Sequence, residues 1–159
     1  MAYLGPGSAF GALFGAVGGA ITAAANQGPG DRLSQFAKDN GVHIDQIVLE
    51  EATKAFRESG KLRLTDTQGG NTATLKVWVA VYGFVTPNGF SSDLVPVLNV
   101  HCQLTGADGK VIWSAHDVAQ MPSSFEGNTP DEFKANPKLI GDSWRAAARL
   151  VMKEIVDHM

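Results

Sequence analysis

Cysteine is nearly missing from this chain: Cys102 is the only one in 159 residues. An intrachain disulfide is therefore impossible, and so is a zinc site built from paired cysteines. One cysteine neither requires nor excludes an oxidising compartment. An excess of positive charge is missing as well. Thirteen Lys and Arg against 16 Asp and Glu give a formal net charge of -3, which argues against nucleic acid as a partner, because the basic footprint that role needs is not there. Charge of either sign is missing from residues 1–30, the first charged side chain being Asp31. What remains suffices for a fold. A hydrophobic fraction of 44% with 18% charged residues is a globular composition. At this length a folded chain buries roughly 70% of the surface it exposes when unfolded, so one domain can form a core without metal or disulfide.

The first 30 residues stand apart from the rest. Leu4 to Ala25 is mostly Ala, Gly, Leu, Phe, Val and Ile, and Gly7, Gly11, Gly15 and Gly19 recur every four residues. On a helix these glycines form one slowly drifting ridge that permits close approach of a second helix. Three readings stay open. Ala23-Ala24-Ala25 suits a signal-peptide cleavage site, although no Lys or Arg precedes the apolar run. The ridge suits a glycine zipper that inserts in a membrane or joins copies of the chain. The plain alternative is a leader packed on its own domain. Glycine costs about 1 kcal/mol per helical residue relative to alanine, so any such helix depends on contacts for its order.

Gln27-Gly28-Pro29-Gly30 marks a linker, which divides the chain into an apolar segment, 1–30, and an α+β domain, 31–159. Asp31 caps a short helix that ends at Asn40-Gly41. Ile44, Ile47, Val48, Ala52, Ala55 and Phe56 predict a helix over 43–59, closed by Gly60. Four strands follow: Lys61–Thr65, Ala73–Val85, Leu94–Leu104 and Val111–Ala119, with turns at Gln68–Asn71, Pro87–Gly89 and Gly106–Gly109. In the second of them Leu75, Val77, Val79 and Val81 share one face and Trp78, Ala80, Tyr82 and Phe84 the other, the pattern of a strand covered on both sides. Thr129-Pro130-Asp131-Glu132 is a capping box. Ile140, Trp144, Ala147, Ala148, Val151 and Ile155 form the buried stripe of a last helix over 137–157. The expected architecture is α+β: an antiparallel four-stranded meander packed by two main helices, plus an N-terminal Gly/Ala-rich helix.

Certain phrases carry a resemblance. Phe56-Arg57-Glu58-Ser59-Gly60-Lys61-Leu62-Arg63-Leu64 resembles a helix end leading into a first strand, and Ala73–Val79 the strand after it. Leu98–Leu104, followed by Gly106-Ala107-Asp108-Gly109-Lys110-Val111-Ile112-Trp113, is similar to a strand, hairpin and strand of one envelope family. That family comprises bacterial periplasmic lipoproteins related to the curli secretion channel subunit, the TolB N-terminal domain and the activator lipoproteins of penicillin-binding proteins. The resemblance spans about 42–157. It implies a non-enzymatic domain in the periplasm, anchored to the outer membrane in some members, with an envelope protein or a second copy as partner. The chain departs from the family in having no lipobox cysteine near Met1. On the residues alone the cytoplasm stays open, as does membrane association through the N-terminus.

Catalytic constellations are thin. His101 and His116 lie across one hairpin and could face each other, which with Asp117 invites a metal or acid–base reading; strand parity argues against it by turning Asp117 to the other face, and His101 shares its own face with Asn99 and Gln103, an ordinary solvated one. Cys102 falls on an apolar face, as a small core residue does. Glu50-Glu51 is expected on a solvated helix face. No phosphate loop, cofactor motif or metal set is present in the sequence, so no cofactor is expected. Trp78, Tyr82 and Phe84 are either core or, where no second layer covers them, an interaction surface. Two functions compete: a non-enzymatic envelope domain that binds or self-associates, through Gly7, Gly11, Gly15, Gly19 and the aromatic set; or a small enzyme or ligand carrier with a pocket near His101, His116 and Trp113.

Overall fold

The computed structural model describes residues 2–4, 29–65, 72–87, 91–119 and 125–159. Helix α1 runs from Pro29 to Asp39, so it begins two residues before Asp31, with proline in the first position, where its missing N–H is no loss. It stops at Gly41, whose φ of 73° is left-handed. There the Gly41 N–H donates to Lys38 O and the Val42 N–H to Ala37 O, at 3.0 and 2.9 Å, the paired bonds that close a helix at glycine. Helix α2, Ile44–Ser59, follows the expected stripe and ends on Gly60 at φ 65°. Helix α3, Pro130–Ala135, is held by the anticipated box: Glu132 N–H donates to Thr129 Oγ1, and Thr129 N–H donates to Glu132 Oε2. Helix α4 spans Lys138–Asp157. Its terminal carbonyls, of Val156 and Asp157, accept from Lys61 Nζ at 2.8 and 3.1 Å, a cation at the negative end of the helix dipole.

The sheet departs from the expected meander. Strands β3 (Ala73–Val85), β4 (Val95–Thr105) and β5 (Val111–Ala119) are antiparallel neighbours. The expected first strand shrinks to β2, Leu64–Thr65, and does not pair with β3. Strand β1, Ala2–Leu4, lies between them and runs parallel to both, giving the order β2-β1-β3-β4-β5. A sheet edge is one row of donors and acceptors, and the start of the chain takes the row that β2 would have used. Residues 1–30 are therefore not one helix: Ala2–Leu4 belongs to the sheet, and Pro29 and Gly30 open α1. The helix expected over the glycine ridge lies outside the described residues.

A second correction concerns β3. Val79 faces Val100, but Val81 faces Asn99, so Ala80 is an extra residue, a β-bulge. One added residue exchanges the two faces of everything after it. Leu75, Val77 and Val79 are buried before the bulge; after it Val81 is exposed and Phe84 is buried. The strand is thus one-sided on each side of a phase change. The reason is Trp144 of α4, which is buried: Tyr82 meets it edge-on at 5.5 Å and Phe84 stacks on it at 5.3 Å. Phe133 of α3 closes on Phe84 at 5.0 Å.

One core joins all four helices to one face of β3–β5. Leu33 and Ala37 of α1, Val48 and Phe56 of α2, Phe133 of α3 and Ile140, Trp144 and Val151 of α4 share it with Leu98, Val100, Cys102 and Leu104. Burying each large side chain stabilises by about 1.5–3 kcal/mol relative to exposure. Glu51 is the one buried charged residue among those described. Its carboxylate accepts from Arg149 Nε at 3.0 Å and lies 3.7 Å from Arg145 Nε, while Arg145 also donates to Glu50 at 3.1 Å. The solvated face expected for Glu50-Glu51 thus holds for Glu50 alone. Glu51 sits seven residues after Ile44, which places it on the buried stripe.

Candidate functional site

The face of β3–β5 away from the helices is set by the alternation of β4. Val100, Cys102 and Leu104 enter the core, so Asn99, His101 and Gln103 turn the other way, and none of these three is fully buried. Register then builds the face row by row. Lys76, Gln103 and Ser114 lie abreast; Trp78, His101 and His116 lie abreast; Val81, Asn99 and Val118 lie abreast. Toward the start of β4, Val95 and Val97 share this side and are buried outside the main core.

The middle row is a ladder of rings. Trp78 stacks on His101 with centroids 5.2 Å apart and planes 22° apart, and His101 stacks on His116 at 4.9 Å and 15°. Directly opposed cross-strand side chains are close enough to touch, which is why three flat rings in register stack. Burial first, and then the neighbouring imidazole of His116, hold His101 below the ordinary histidine range. Asn99 contributes an Oδ1 that is buried without a hydrogen-bond partner. Exposed aliphatic side chains flank the ladder: Val81 and Val85 toward one end, Val111 and Ile112 toward the hairpin at the other, 50%, 46%, 55% and 62% exposed.

The expected site residues do not come together. Trp78 lies on the face away from the helices, whereas Tyr82 and Phe84, shifted by the bulge, lie against Trp144 on the helix side. Nor do His101, His116 and Trp113, expected around one pocket, share a side of the sheet. Trp113 faces Leu104 and packs edge-on against Phe56 at 6.2 Å, across the sheet from the histidines. Asp117 faces Val100 and so sits opposite His116, as parity requires. Cys102 is buried, and burial pushes its thiol up to about 12, far from a thiolate nucleophile at neutral pH. Gly7, Gly11, Gly15 and Gly19 lie outside the described residues. A groove of about 440 Å³ runs between α2 and α4, lined by Lys54, Glu58, Arg149 and Lys153 among others. Its lining charges are of both signs, and it is on the side away from the ladder. Among the described residues no helix is long and apolar enough to cross a membrane.

Sequence reasoning missed the ladder as a unit. The signal was present: Trp78 lies on the same parity as Lys76, and the hairpin centred on Gly106–Gly109 sets His101 against His116 by counting outward. What hid it was the grouping of Trp78 with Tyr82 and Phe84.

No protein-family model and no curated protein matches this chain. Among solved structures, the fold is similar to that of a minor lipoprotein from Acinetobacter baumannii, with 13% identity and a TM-score of 0.36, covering 71% of this chain and 85% of the other. A likeness that loose carries nothing about compartment, ligand or activity.

Proposed function

We propose that this chain is a non-catalytic binding or assembly domain of the bacterial cell envelope, which docks an envelope protein or a second copy on the sheet face that the helices leave uncovered. One observation carries the reading: β3–β5 bury one face under four helices and present on the other a ring ladder flanked by exposed valines and an isoleucine. Aromatic and aliphatic side chains exposed together on a flat surface are what protein contacts use. The envelope compartment is supported by the sequence resemblance over 42–157, and self-association by the ridge of Gly7, Gly11, Gly15 and Gly19. The enzyme or carrier alternative loses support from the geometry, since Trp113 is across the sheet from His101 and His116 and the Cys102 thiol is buried.

The test is site-specific photo-crosslinking in the native cell. A photoreactive residue at position 116 probes the uncovered face, and one at position 150, exposed on α4, serves as the control. The expected result is one defined protein adduct, an envelope partner or a dimer of this chain, from 116 and not from 150. Equal adducts from both positions, or none from 116, would overturn the docking face. Recovery of the native gene product in the cytoplasmic fraction would overturn the compartment.

A further inference from the structure

We propose that His101 and His116 form a two-imidazole site for a divalent transition metal ion of the zinc, nickel and copper class. The two residues are direct Cα partners on β4 and β5, and their rings lie 4.9 Å apart at 15°. A tetrahedral zinc ion with Zn–N bonds of about 2.0–2.1 Å asks for ligand nitrogens roughly 3.3 Å apart. Tilting the rings toward one another supplies that separation, and the terminal torsion of histidine is soft enough to allow it. His116 is exposed, so its ring is free to turn and water has access to the remaining coordination positions. His101 is held on its other side by Trp78 at 5.2 Å, so one of the two ligands is already fixed in place.

The surroundings are mostly neutral. The adjacent rows hold Lys76, Gln103 and Ser114 on one side and Val81, Asn99 and Val118 on the other; the one ammonium, that of Lys76, belongs to β3, diagonal to His101 and two strands away from His116. The nearest acidic residue along β5, Asp117, is across the sheet. The partnerless Oδ1 of Asn99 stands two residues from His101 on the same face, an acceptor available to a metal-bound water. Two neutral imidazoles with no carboxylate select borderline metals over magnesium and calcium, which prefer oxygen. This inference does not depend on the docking face having a protein partner.

The experiment is calorimetric titration of the full chain with zinc chloride and, separately, nickel chloride at pH 7.5, in a buffer that does not bind metal. The expected result is one ion per chain and no binding of magnesium or calcium. His116→Gln should weaken binding by at least about tenfold, since a chelate loses the effective concentration of its second arm. His101→Gln should do the same. His43→Gln combined with His158→Gln should bind as the parent does. Absence of binding, binding unchanged in His116→Gln, or binding lost in the His43/His158 double variant would each overturn the site. His116 is exposed, so its variant decides even where His101→Gln does not fold.

Discussion

The two faces of the β3–β5 sheet are made by the same three strands and could hardly differ more. The helix side is closed: Leu98, Val100, Trp144 and Phe56 are all but inaccessible to water. The other side carries stacked rings, amides and half-exposed valines. Alternation along a strand puts neighbouring residues into different solvents, so a chain can hold a core and a surface within one stretch of eleven residues. The lesson lies in the bulge at Ala80. A single unpaired residue decides which aromatics belong to which face, and Trp78, Tyr82 and Phe84 end up on different sides because of it.

The largest effects that probe that contrast are expected from Trp144→Ala and Phe56→Ala, each costing about 3–5 kcal/mol, as large-to-small changes at fully buried positions do. Deleting Ala80, by contrast, removes only the unpaired residue: Val81 keeps Asn99 opposite it and Phe84 keeps Pro96, so Tyr82 and Phe84 stay on the helix side and the cooperative unfolding transition by circular dichroism should survive; its loss would mean that the bulge does more than set the phase. Trp78→Ala, on the face away from the helices, should cost no more than about 1 kcal/mol, a stacking contact's worth. Urea midpoints of the three alanine variants, measured side by side, would erase the distinction between faces were they to coincide.

Smaller effects sharpen the comparison within α2. Glu51→Ala leaves Arg145 and Arg149 without their shared carboxylate. Because those side chains are 34% and 59% exposed, solvent screening reduces the cost to about 1–2 kcal/mol. Glu50→Ala, at an exposed position, should change stability by less than about 0.5 kcal/mol. Equal denaturation midpoints for the two variants would show that Glu51 is no more than another surface charge.

The smallest expected effect is one of pH. His101 binds its proton less readily folded than unfolded, so its contribution to stability is present in full above the unfolded value near 6.5 and is lost as pH falls through the lower folded value. The unfolded state holds more protons in that window, which makes stability rise with pH across it. His101→Gln should flatten the part of the stability profile below pH 6.5 that the parent shows, read from urea midpoints at pH 5 and 7.5. An unchanged slope would place the titrating group elsewhere. The exposed Glu132 carboxylate acts in the same direction at lower pH, held down first by the Thr129 backbone N–H and then by its hydroxyl.

Much of the fold was legible because it is local. Gly41 and Gly60 end helices through a left-handed residue, Thr129 and Glu132 satisfy each other's backbone groups, and the periodicity of Ile44–Phe56 and Ile140–Ile155 names the buried stripes. Glu51 was legible too, by its position in that periodicity, although its charge argues for the surface; it is buried because two arginines from α4 reach it. The alternation of β4, with Cys102 inward and His101 outward, needed only parity.

By itself, then, the sequence determined the helix ends at Gly41 and Gly60, the capping box at Thr129, the β4–β5 hairpin and most of the core, since each depends on residues within a turn or two of one another and on the period of their hydrophobicity. Tertiary structure alone decided the rest. It placed β1 on the edge of β3, because which strand fills an open edge is a competition between segments some sixty residues apart. It set the bulge at Ala80, because only the position of Trp144 makes the change of phase favourable. And it assembled Trp78, His101 and His116 into one stack, because cross-strand register is fixed by pairing between strands and no single strand contains it.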